Sequence, residues 1–173
     1  MGPGRVPPGD DRAPARPSRD LPPPPVLIAH RTSPSPIHVR HLVVPCAIIK
    51  LIRPEAESVQ LAAWLNANSD ETVVTSELAE VEVPRALRRS APTRLAAMPA
   101  VLAHVNRIKV DAAVRATAGA YPDPNLRSLD AIHLATADTL VASGKTLTAF
   151  VTYDKRLAAV AADAGHAVVT PGE

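Results

Sequence analysis

The sequence predicts an α/β fold, with a central parallel sheet covered by helices. Three observations predict it. Short aliphatic or β-branched runs alternate with longer helix-patterned segments from residue 42 onward, and that alternation implies βαβ units. Aromatic residues make up only 2% of the chain, so Ala, Val, Leu and Ile must build the core. Two carboxylates, Asp130 and Asp154, lie among apolar residues in LRSLDAIHLATA and FVTYDKRL. Burying a lone carboxylate is costly unless it is paired, hydrogen-bonded or bound to metal.

Leu42 to Ile49 reads as a buried strand leading into a helix. Ser58 to Ala67 carries Val59, Ala62, Ala63, Trp64 and Leu65 and reads as a helix. Thr72 to Thr75 is a β-branched strand. Ser76 is a candidate N-cap for a helix reaching about Ser90, with Pro84 inside it, where proline removes a backbone bond or kinks the helix. Arg94 to Ile108 reads as helical with an interruption at Pro99. Asp111 to Ala120 is a helix closed by the turn YPDPN. Ser128 is a candidate cap for a helix through Leu140 or Val141, ended by Gly144. Thr148 to Thr152 is a strand. Asp154 caps a helix through Ala164, which Gly165 ends, and Ala167 to Val169 is a last short strand.

The 173 residues suffice for one domain with its own core. Composition divides the chain at residue 42. Residues 1–41 hold 11 of the 19 prolines, too little apolar surface to offset chain entropy. They read as a Pro/Arg-rich, disordered extension: a tail, a proline-rich ligand or the product of an early start codon. They carry six Arg against three Asp, while residues 42–173 carry 13 Lys/Arg against 14 Asp/Glu. The basic balance therefore resides in the extension, and overall charge does not mark the folded part as a polyanion binder. The single cysteine, Cys46, excludes an internal disulfide framework and suits a reducing cytoplasm. Nothing approaches the roughly 20 apolar residues of a membrane span, and the first residues lack the apolar core of a secretory signal.

Each acid has two readings. Asp154 follows the strand FVTY, where open parallel sheets place their sites; it also suits a simple N-cap. Asp130 lies in a first helical turn, where acids favour the helix dipole. His133 shares its face and reads as a packing or surface residue. Glu82, between Val81 and Val83, either pairs with Arg85 or belongs to the site. Glu77 and Glu80 read as surface charge. Arg85, Arg88 and Arg89 form a solvated helix face or a local basic patch.

Taken together, SLDAIHLATA, TYDKRL and an acid shortly before an Arg in the preceding helix resemble the PIN domain. The likeness is to VapC-type toxins of bacterial toxin–antitoxin pairs. It covers roughly residues 43 to 172 and extends to RPEAES, PDPNLRSLD and VVTPG. The resemblance implies a three-layer domain, with four to five parallel strands flanked by helices and acids at one sheet edge. It implies a Mg²⁺- or Mn²⁺-dependent cytoplasmic ribonuclease, usually dimeric, with RNA as substrate and a VapB-type antitoxin as inhibitor. By motif, Glu82, Asp130 and Asp154 are the catalytic and metal-holding acids. Thr152 and Arg85 are positions that orient substrate.

One family position departs. The motif DTSALVKL at the end of strand one is VPCAIIKL here, Val44 to Leu51. Val44 stands where the family has its first aspartate. Valine offers no oxygen, and a thiolate at Cys46 is a soft ligand, ill matched to Mg²⁺. The same motif puts Pro45 at the end of a central strand, where proline is poorly tolerated. A degenerate PIN domain that binds antitoxin or RNA without cutting is the alternative. A phosphoacceptor receiver domain is a weaker rival, because its acid pair follows strand one, where this chain has none.

Overall fold

The structure, a computed structural model, describes residues 39–173. The expectation of a disordered extension falls mostly outside that range. Five strands are all parallel: β1 (Val39–Val43), β2 (Thr72–Ser76), β3 (Asn106–Ile108), β4 (Thr146–Val151) and β5 (Val168–Val169). Seven α-helices connect them: α1 (Pro45–Ile52), α2 (Ser58–Ala67), α3 (Ala79–Ser90), α4 (Met98–Leu102), α5 (Ala112–Ala120), α6 (Ser128–Ala142) and α7 (Lys155–Asp163). A 3-10 helix over Pro92–Ala97 precedes α4. β1 reaches back to Val39, ahead of residue 42, where the composition changes.

The strand order is β3-β2-β1-β4-β5. The chain winds outward from β1 to β3, then returns to lay β4 on the other side of β1. The winding direction reverses there, and the crevice beyond the carboxyl ends of β1 and β4 is the natural ligand position.

Alternation along the strands builds the three layers. Val43, Val73, Ala149 and Val151 face Ile48, Leu51, Leu61, Leu65, Val83 and Leu87 of α1, α2 and α3. Leu42, Val44, Val74 and Phe150 face Leu134, Ala137, Leu140, Leu157 and Ala161 of α6 and α7. Phe150, the chain's lone Phe, is fully buried. Burial of a side chain of that size contributes about 1.5–3 kcal/mol.

Several local expectations change. Asn106–Ile108 is not helical but the edge strand β3, pairing with β2 from Val74↔Asn106 to Ser76↔Ile108. Pro99 does not interrupt a helix; it lies in the first turn of α4, where its missing N–H costs nothing. Ser76 stays in β2, and its hydroxyl accepts from the Leu78 amide at 3.3 Å rather than capping α3. Ser128 is already helical, with Arg127 in the cap position. Pro45 does not spoil a central strand, because β1 ends at Val43 and Pro45 opens α1, the position where its ring suits a helix. α3 continues through Pro84.

Candidate active site

Asp154 lies three residues past the end of β4 and caps α7. Its Oδ1 accepts from the amides of Arg156 at 2.9 Å and Leu157 at 3.2 Å. The capping reading of this residue therefore holds. Burial pushes its carboxyl upward, but those two amides and the Arg156 guanidinium outweigh burial and hold it below the usual carboxylate range. Oδ2 lies 3.5 Å from Arg156 Nη2.

Asp130 stands in the first turn of α6, half-buried. Burial, and then the charge of Asp154, raise its carboxyl above the usual range; His133, Arg156 and Arg127 pull the other way. The fold thus brings these two acids, 24 residues apart in sequence, within electrostatic reach at the β1/β4 crevice.

Glu82 is on α3, facing α6. Its Oε1 lies 2.9 Å from His133 Nε2, and His133 is only 2% exposed. Among the described residues no ion pair joins Glu82 to Arg85; the partner is a histidine 51 positions away. No local pattern could reveal that pairing. Arg85 itself is exposed. Glu80 pairs with Arg107 at 2.9 Å on the surface. Glu77 is less free than a surface charge: its Oε1 accepts from the Val110 amide at 2.7 Å, tying β2 to the segment after β3.

Thr152 is fully buried. Its hydroxyl accepts from the Asp154 amide at 3.2 Å, with Cys46 Sγ 3.7 Å away. It holds the turn that presents Asp154.

The end of β1 offers no carboxylate. Val44, 2% exposed, donates its amide to the Val151 carbonyl at 3.1 Å and packs its side chain in the cluster containing Leu134 and Leu157. Cys46 accepts from the Tyr153 amide at 3.5 Å. Burial pushes the Cys46 thiol up, so it stays protonated and a poor ligand for a hard ion.

Among the described residues no group of three or more His, Cys, Asp or Glu side chains closes around one point. Asp130 and Asp154 still fit a hydrated Mg²⁺ or Mn²⁺. Mg²⁺ keeps several waters and is commonly held by one or two carboxylates together with substrate phosphates. Burial first, and the charge of Asp154 second, raise Asp130, and a cation bound there would favour its ionised form. Among the described residues no helix is long and apolar enough to cross a membrane.

Comparisons with known proteins show the family. Residues 43–163 match the PIN domain family. The chain is 53% identical over 127 residues to "Ribonuclease VapC35" of Mycobacterium tuberculosis (strain CDC 1551 / Oshkosh), covering 73% of this chain and 93% of that protein. It is 40% identical over 125 residues to "Ribonuclease VapC46" of Mycobacterium tuberculosis (strain ATCC 25618 / H37Rv), covering 72% and 92%. In fold it resembles a chain in the crystal structure of VapBC2 from Rickettsia felis bound to a promoter DNA fragment. That likeness has a TM-score of 0.55 at 10% identity and covers 76% of this chain and 98% of the other. The chain belongs to the PIN-domain family, as a VapC-type member.

Proposed function

We propose that this protein is a metal-dependent endoribonuclease, the toxin of a type II toxin–antitoxin pair, acting in the cytoplasm. The observation that carries the reading is that the charge of Asp154, at the point where the strand winding reverses, reaches Asp130. The names of the VapC relatives support RNA as substrate. The fold likeness to a VapBC assembly suits a VapB-type antitoxin as inhibitor. A homodimer is part of the same proposal.

Asp130 and Asp154 hold Mg²⁺ or Mn²⁺, and Glu82 orients a water beside them. When bound, the ion supplies Lewis acidity toward water and the phosphoryl oxygens. Asp154 is kept ionised by the α7 amides, so it holds its position without needing a proton removed. Asp130 carries the less stable negative charge of the pair. Arg156 and Arg127, both exposed beside these acids, offer guanidinium donors to the phosphate backbone on either side of the bond cut. Arg85, exposed one turn after Glu82, extends that basic rim.

A second reading is favoured by one observation, the burial of Val44 among apolar side chains where the family has an acid. On that reading the domain binds antitoxin or RNA without cutting. RNA cleavage by the full chain with Mg²⁺ or Mn²⁺ separates the two. Cleavage that depends on added metal and disappears in Asp130→Ala supports the enzyme. No cleavage by the natural chain, with cleavage regained in Val44→Asp, assigns the binding-only role.

A further inference from the structure

We infer that His133 is a positioning residue, whose Nε2–H holds the Glu82 carboxylate in place against α6. The inference rests on the ribonuclease reading above, and it concerns a residue whose sequence context suggests only packing.

His133 lies one turn after Asp130 on α6, on the same face, and its ring is 2% exposed. Its Nε2 is 2.9 Å from Glu82 Oε1. A carboxylate oxygen has only lone pairs to offer, so the nitrogen facing it must carry the hydrogen. The other ring nitrogen, Nδ1, is buried with no hydrogen-bond partner among the described residues. A neutral imidazole has one N–H, and placing it on Nε2 spends it where an acceptor exists. The tautomer is therefore set by Glu82.

The pairing matters for Glu82 as much as for the histidine. Glu82 is 26% exposed on a helix edge and has three side-chain torsions to order. One pinned oxygen removes most of that freedom while Oε2 stays unengaged by any hydrogen bond among the described residues. The donor comes from α6, the same helix that carries Asp130, so the ring ties Glu82 on α3 to that helix. Groups that orient a reacting or ligating carboxylate commonly matter 10–100-fold to a site, although they touch neither metal nor substrate.

Two measurements on the full-length chain test this. The first is ring-nitrogen NMR at pH 8, above the ordinary imidazole range of about 6.5, with His133 assigned from the missing signals of His133→Gln. Protonated Nε2 with bare Nδ1 is expected; hydrogen on Nδ1 overturns the proposal. The second is Mn²⁺-dependent RNA cleavage. His133→Leu is expected to lower kcat about 10-fold or more with KM unchanged, and His133→Gln, whose amide nitrogen reaches the Nε2 position, to restore most of the loss. Retention of kcat in His133→Leu, or equal loss in both folded variants, overturns it. Should the leucine variant not fold, His133→Asn, whose amide nitrogen sits at the Nδ1 position, replaces it with the same expected loss. A natural chain that cuts no RNA removes the ribonuclease reading instead, and the NMR result then decides alone whether His133 holds Glu82.

Discussion

Asp154 caps α7 with the same carboxylate whose charge pushes the proton affinity of Asp130 upward. One side chain thus serves the helix and strains its neighbour. The two effects separate by substitution.

Asp154→Ala removes the cap bonds to Arg156 and Leu157 and should cost about 1 kcal/mol of stability. Asp154→Asn retains a good capping side chain and should cost less. Both should lower the Asp130 carboxyl, because both remove the neighbouring negative charge. Urea unfolding and carboxyl NMR titration read the two outcomes independently.

Asp130 binds its proton more tightly in the folded chain than in the unfolded one. Its ionisation therefore lowers stability as pH rises from the ordinary aspartate value, about 3.9, through its raised folded value. Asp154 acts with the opposite sign: its stabilisation is present above the ordinary value and is lost as pH falls through its depressed one. Asp130→Asn should raise stability at pH 7, with the gain fading in acid once the native Asp130 is protonated. Unfolding free energies for this variant and the natural chain at pH 3, 5 and 7 check the sign. An equal gain at all three values would refute the electrostatic cause.

A cation bound by Asp130 and Asp154, as proposed, would stabilise only the folded chain. Mg²⁺ or Mn²⁺ should therefore raise the Tm, by the equivalent of about 2.7 kcal/mol at 100 times Kd. The increment should disappear in Asp130→Asn and persist in Leu147→Ala, which lies in β4 away from the site. Thermal scans with and without metal provide the readout.

Asp138 joins two separate parts of the chain. It accepts from Tyr121 Oη at 2.6 Å and lies 2.6 Å from His166 Nε2, linking α6 to the residues after α5 and α7. Tyr121→Phe should cost about 1.5–3 kcal/mol, the range for a hydrogen bond to a charged group. Its effect should be non-additive with that of His166→Ala, since both partners share one carboxylate. A double-mutant cycle by chemical denaturation measures the coupling.

Elements with strong local signals are legible in the residues alone. Ser58–Ala67 is helical as its pattern indicates, and the β-branched run at Thr72 is β2. Asp154 caps the helix it precedes, because the cap bond spans only two or three residues. β3 is hidden from local patterning because its residues are mostly exposed and too few to show alternation; pairing with β2 makes it a strand. Ser76 does not cap α3 because it ends β2 and its hydroxyl is taken by the Leu78 amide, ahead of the helix. Pro45 looks disruptive only if β1 is extended past Val43.

By itself the sequence determined the alternation of strands and helices, the aliphatic core and the family likeness. These are properties of residue types and of spacings within a few turns. Only the tertiary structure decided that β4 lies beside β1, that Asp130 feels the charge of Asp154, that Glu82 is bound by His133 and that Val44 is sealed among apolar side chains. Those relations join residues dozens of positions apart, among them Asp130 with Asp154, Glu82 with His133 and Val43 with Val151. They follow from burying both faces of one sheet at once, a condition that no local stretch of chain can express.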